Sequence, residues 1–234
     1  MDKPGSKRRG RMHDAEGARE AILDAGEEVF AEHGFDGARI DVIAKVSGYN
    51  KSLIFQYFDD KLGLYAAVIR RADEQTRAIQ NEALSSMIQG AVKLKTDQLR
   101  ALFGKFVGWY FDYLVEHPHI QRIYMWEMAE GWQTMSKVFT ERDFNDVDEF
   151  EPVLAEMQRA GLLRSGLHPL LQISTALFTV PLYLTLPPLY KSLVPNSDFS
   201  SPAELAHARE FVIDYVVQGT LITPVKVKAK PGRK

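Results

Sequence analysis

Cysteine is absent from the 234 residues. Disulfide staples, thiolate zinc sites, iron–sulfur clusters and cysteine nucleophiles are excluded with it. No residue argues for an oxidising compartment, so the expected location is the cytoplasm. Phosphate-cradling glycine loops, nucleophile elbows and spaced carboxylate pairs are also missing, which argues against an enzyme. The basic start, Lys7-Arg8-Arg9-Gly10-Arg11, has no apolar run behind it and is read as carrying no secretory signal. Charge is lacking in one long stretch, since Ser165 to Tyr190 contains no Asp, Glu, Lys or Arg. That is long enough to cross a bilayer. Pro169, Pro181, Pro187 and Pro188 interrupt it, and Gln172, Ser174, Thr175, Thr179 and Thr185 recur along it. We therefore read it as a buried helix of an aqueous protein and expect no membrane partner.

What is present is ordinary for a globular chain: 45% hydrophobic and 26% charged residues, in a length that suits one large domain or two small ones. The net charge of −2 hides an uneven distribution. Residues 1–13 carry Lys3, Lys7, Arg8, Arg9 and Arg11 against Asp2, and residues 222–234 carry five bases and no acid. We read 1–13 as a flexible basic arm and 222–234 as a basic disordered tail around an acidic body. Such ends either aid solubility or touch a polyanion.

Between them the pattern is helical. Ala18, Ile22, Gly26, Val29 and Phe30 share one face of a segment from about Asp14 to His33, and Gly34 supplies its stop. Ile40, Ile43 and Ala44 mark a second, short helix. Ser47-Gly48-Tyr49 is the turn after it. Asn50 is the N-cap of a third helix whose buried side holds Ile54 and Phe58. Three short helices with a glycine turn between the last two form a helix-turn-helix pattern.

Over Arg19 to Tyr65 the chain carries Phe30-Ala31-Glu32-His33-Gly34-Phe35, Ile40-Asp41-Val42-Ile43-Ala44, Gly48-Tyr49-Asn50-Lys51 and Phe55-Gln56-Tyr57-Phe58-Asp59-Asp60-Lys61. This stretch resembles the DNA-binding domain of the TetR family of bacterial regulators. The resemblance implies an all-α protein with a helix-turn-helix domain over 14–61 and a helical effector-binding and dimerisation domain over 62–221. It departs from the family pattern where Ala38-Arg39 replaces a serine or threonine cap of the second helix, and where Ser52, Leu53 and Phe55 replace glycine, threonine and tyrosine.

Within that frame the recognition helix presents Lys51, Ser52, Leu53, Phe55 and Gln56 to DNA, with Gln56 suited to adenine and Leu53 to a thymine methyl. Tyr57 and Lys61 resemble the family's phosphate contacts. Arg39, and Arg8 and Arg9 of the arm, complete the expected DNA-binding set.

Beyond Lys61 a long helix toward Gln89 is expected, then helices over 98–116, 118–131, 147–160, 169–190 with a break or kink at the internal prolines, and 202–219. The region concentrates aromatic and sulfur side chains, which serve either as ordinary core or as the wall of a pocket. By resemblance, Phe106, Trp109, Tyr110, Tyr113, Tyr124, Trp126, Met128 and Phe178 enclose a small apolar or aromatic effector. Glu127 and Glu130 face either a cationic group or solvent. Leu177, Tyr183, Leu205, Phe211, Val212 and Tyr215 are expected to pair two copies as a four-helix interface. His117-Pro118-His119 reads as a helix junction, and no metal or cofactor is expected. The function implied is a homodimeric transcriptional repressor released from a palindromic operator by its effector. An architectural DNA-binding protein without an effector, or an enzyme with a fused helix-turn-helix, are the alternatives.

Overall fold

The computed structural model describes residues 5–74, 96–141 and 146–222, with the side chains of 5–14, 141 and 146–150 outside that description. The described residues form helices and no strand, as the all-α expectation requires. In chain order they are α1 (Gly5–Gly37), α2 (Ile40–Ser47), α3 (Lys51–Phe58), α4 (residues 61–74) and α5 (Thr96–Glu116). Then follow α6 (Pro118–Ala129), α7 (Gln133–Glu141), α8 (Asp146–Arg159), α9 (Pro169–Leu177), α10 (Thr179–Leu193) and α11 (Pro202–Thr220). The chain divides into two compact units, and the division is not simply sequential. One unit holds α1–α4 with α6 and α7; the other holds α5 and α8–α11.

In the first unit α1 is the central element, packed on α2 and α6. Ala18, Ile22, Val29 and Phe30 are all buried, which is the face the helical spacing marked out. Gly34 (φ 67°, ψ 179°) breaks the helix where a left-handed residue was expected. Phe30 and Phe35 meet the ring of Tyr65 on α4 edge to face, at 4.9 and 5.3 Å between centroids. Arg71 on α4 reaches back to Asp24 at 2.6 Å and Glu27 at 2.7 Å, so polar and apolar ties fix α4 against α1 together. The helix begins at Gly5, within the stretch that composition marks as a basic arm.

Helix α7 was not foreseen. Its only buried apolar residues are Met135 and Val138, too few for a periodic signal among Ser and Thr residues of modest helix propensity. Gly131 (φ 71°) and Trp132 (φ 63°) turn the chain between α6 and α7, with Trp132 N–H donating to Glu127 O at 2.7 Å.

In the second unit, α9 packs on α8, α10 and α11. Pro118, Pro169 and Pro202 each open a helix, where a missing N–H costs nothing. The expected break in 169–190 falls at Phe178, between α9 and α10. Pro181 cannot donate to Leu177 O, which ends α9 there, whereas Pro187 and Pro188 sit inside α10 without ending it. The stretch Pro169–Leu193 is long and apolar enough to cross a membrane, and the buried helix expected there is corrected: most of it lies at the surface of this unit. The ends of 162–163 and 221–222 pair as an isolated antiparallel bridge, with Ile222 N–H donating to Leu162 O at 2.9 Å.

Candidate nucleic-acid interface

Helix α3 is set by its two ends. Asn50 Oδ1 accepts the Leu53 N–H at 2.9 Å, the N-cap its sequence calls for. Gly48 (φ 77°) makes the turn that delivers it from α2. At the other end Asp59 adopts φ 64°, ψ −57°, and Asp60 N–H donates to Phe58 O at 2.7 Å, a tight γ-turn. Asp60 then caps α4 by accepting the Gly63 N–H at 2.7 Å. Gly63 is obligatory there, because a Cβ would stand 1.9 Å from Phe58 O.

Ile54 and Phe58 pin α3 to the core, with 0 and 5% of their surface exposed. The opposite face is therefore turned to solvent: Lys51, Ser52, Phe55 and Gln56 are all exposed, and Leu53 is half-buried. An eight-residue helix anchored on one side and bare on the other, with a lysine at its first position, can enter a groove. Helix α2 has no capping side chain, as its Ala38-Arg39 start implies. Arg39 instead forks onto Asp41, both bonds 3.1 Å, and holds that carboxyl below its ordinary range.

Two expected phosphate contacts carry internal duties. Tyr57 donates its hydroxyl to Ala15 O at 3.2 Å, tying α3 to α1. Lys61 departs further from the reading. Its ammonium donates to Phe35 O (2.8 Å), Ala38 O (3.2 Å) and Asp36 O (3.4 Å) and lies 4.4 Å from the Phe35 ring centroid. An ammonium has three protons, and these carbonyls take them. Lys61 thus holds together the segment between α1 and α2. The side chains of Arg8 and Arg9 lie outside the described residues.

The aromatic set expected to enclose one effector is divided between the units. Tyr124, Trp126 and Met128 belong to the first, with α6. Trp126 Nε1 donates to Ala31 O at 3.1 Å and packs over Gly34, so it caps the end of α1. Burial, reinforced by the Asp73 carboxylate, pushes the Tyr124 phenol up to about 12. Glu127, one of the two acids left open by sequence, is buried and satisfied within the first unit. It accepts from Tyr65 Oη at 2.6 Å and Met135 N–H at 3.0 Å. Burial and this bond push the Tyr65 phenol well above its usual range, so it stays the donor.

In the second unit Phe106, Trp109 and Tyr113 form a ladder on α5, with centroids 5.9 and 5.6 Å apart. Tyr110 and Phe178 are half-buried in the same unit. Cavities occur elsewhere in it: about 280 Å³ lined by Tyr183, Leu186, Pro187, Tyr190 and Phe199, and about 420 Å³ near Gln172 and Thr220. Helices α5 and α11 meet closely at Gly108, where a Cβ would be 2.6 Å from an Arg209 nitrogen, and Arg209 pairs with Asp112 at 2.7 Å.

Of the residues expected at a dimer interface, Phe211 and Tyr215 are exposed, 63 and 59%, and stack at 6.1 Å on one face of α11. Leu177, Tyr183 and Leu205 are half-buried. Val212 is corrected: only 1% of it is exposed, because it points into the core of its own unit. Apolarity groups Val212 with Phe211, yet adjacent residues differ by about 100° around the helix axis and present different faces.

The profile of "Bacterial regulatory proteins, tetR family" matches residues 22–68, and that of "Tetracyclin repressor-like, C-terminal domain" matches residues 100–216. The chain is 31% identical over 120 residues to the HTH-type transcriptional repressor SCO4008 of Streptomyces coelicolor, covering 50% of this chain and 53% of that protein. It is 33% identical over 113 residues to the HTH-type transcriptional activator FasR of Mycolicibacterium smegmatis, covering 48 and 47%. These matches span about half the length of each relative. A crystal structure of a TetR family transcription regulator from Marinobacter aquaeolei VT8 superposes with a TM-score of 0.58 at 17% identity, over 91% of this chain and 100% of that one, a likeness of fold.

Proposed function

Because the chain belongs to the tetR family of bacterial regulatory proteins, we propose that it is a cytoplasmic transcriptional repressor that acts by binding rather than by catalysis. The observation that carries this reading is α3: capped by Asn50, anchored through Ile54 and Phe58, and bare along Lys51, Ser52, Phe55 and Gln56. Gln56 offers an amide for the bidentate reading of adenine, and Lys51 reaches a guanine edge or a phosphate. Two copies, joined through the exposed face of α11, read a near-palindromic operator whose half-sites lie about one helical turn apart or a multiple of it. The aromatic ladder Phe106, Trp109 and Tyr113 supports a small apolar or aromatic effector in the second unit.

Selection of binding sites from random duplexes, followed by footprinting, tests the reading. A two-fold symmetric site and an affinity that falls steeply with salt are expected, since phosphate contacts release counterions. Sequence-independent, salt-insensitive binding rejects it. A reporter driven by the selected site then tests repression: expression rises on deletion of the gene for a repressor and falls for an activator.

A further inference from the structure

We propose that Phe55 reads the C5 methyl group of thymine in the major groove, which makes this ring a determinant of operator choice. The inference rests on the DNA-binding reading above and deepens it. Phe55 is 44% exposed on a helix where the apolar residues Ile54 and Phe58 are buried and Leu53 is half-buried. It lies one turn beyond Lys51 and Ser52 and next to Gln56, in the middle of the exposed face. A phenyl ring has no donor for a phosphate.

The groove narrows what such a ring can touch. Base edges in the major groove carry ring-nitrogen and carbonyl acceptors and amino donors, and thymine adds the one apolar substituent, its methyl. Against an amino group or carbonyl the ring would displace water and return no hydrogen bond, which disfavours the contact. Against the methyl, both partners leave water with nothing stranded. Lys51 and Gln56, on either side, supply polar partners for the neighbouring edges.

The test uses the selected operator with uracil replacing thymine one position at a time. At one thymine per half-site, wild type is expected to lose about fourfold in affinity per methyl, the equivalent of one buried methyl group. Phe55→Ala binds thymine and uracil duplexes alike, and Phe55→Leu, which keeps an apolar end, retains part of the difference. Cytosine at that position gains about the same factor on 5-methylation. Equal binding of thymine and uracil duplexes by wild type, or an unchanged methyl dependence in Phe55→Ala, overturns the inference while leaving DNA binding intact. A selection that returns no preferred sequence overturns the DNA-binding reading and this inference with it.

Discussion

The Tyr65 hydroxyl donates to Glu127 Oε1 at 2.6 Å, joining α4 to α6 across 62 residues of chain inside the first unit. The other carboxylate oxygen accepts the Met135 N–H, so one buried acid links α4, α6 and α7. Tyr65→Phe leaves that acid short of a donor, and a buried acceptor without its partner costs about 1–3 kcal/mol, more when charged. Urea unfolding should show a loss of that size, while Tyr57→Phe, at an exposed bond, loses less. Equal losses would show that the Tyr65 bond is no stronger than a surface one.

Lys61 supplies a second expectation. With its ammonium shared among three carbonyls, Lys61→Met removes those bonds but keeps the stem packed on Phe35. Stability should fall by roughly 1.5–3 kcal/mol, the range for a hydrogen-bonded charge. DNA affinity should fall through misplacement of α2 and α3. A variant as stable as wild type with a salt slope shallower by about one would return Lys61 to the phosphate role.

For assembly, Phe211→Glu and Tyr215→Glu should yield monomers by sedimentation at micromolar concentration, because each places a charge in the exposed apolar face of α11. Val212→Glu should instead unfold the subunit, since that side chain is in its core. Folded dimers from the Phe211 and Tyr215 variants would move the interface off α11.

Glu130 carries a pH dependence. Burial, then Asp36 and Glu127, raise its carboxyl above the ordinary 4.5. The folded state therefore binds its proton more tightly than the unfolded state, so this group's penalty is absent in acid, grows as pH rises from the ordinary 4.5 and is complete above its folded value. Glu130→Gln should melt higher than wild type at neutral pH, with the gap closing as pH falls below 4.5. A gap independent of pH would place the effect in packing near Gly34.

Much of the first unit was legible because its determinants are local. Ala18, Ile22, Val29 and Phe30 recur at helical spacing, glycines stand at 34 and 48 where the chain needs positive φ, and Asn50 needs only its own first turn to cap α3. Three prolines mark helix starts for the same reason: the missing donor is a property of the residue itself.

Tertiary structure decided what depends on partners distant in sequence. Lys61 looks like any exposed cation until the carbonyls of residues 35–38 surround it, and Glu127 like a surface acid until Tyr65 arrives. Trp126 joins a pocket wall by resemblance, yet Ala31 O claims its indole N–H. Val212 and Phe211 have similar apolarity, and only the packing of α11 against its own unit buries one and bares the other. Composition and periodicity thus specified most of the helices, α7 excepted, and which residues are apolar. Where each polar group discharges its hydrogen bonds was set by long-range packing, because a donor is satisfied by geometry and a sequence carries no distances.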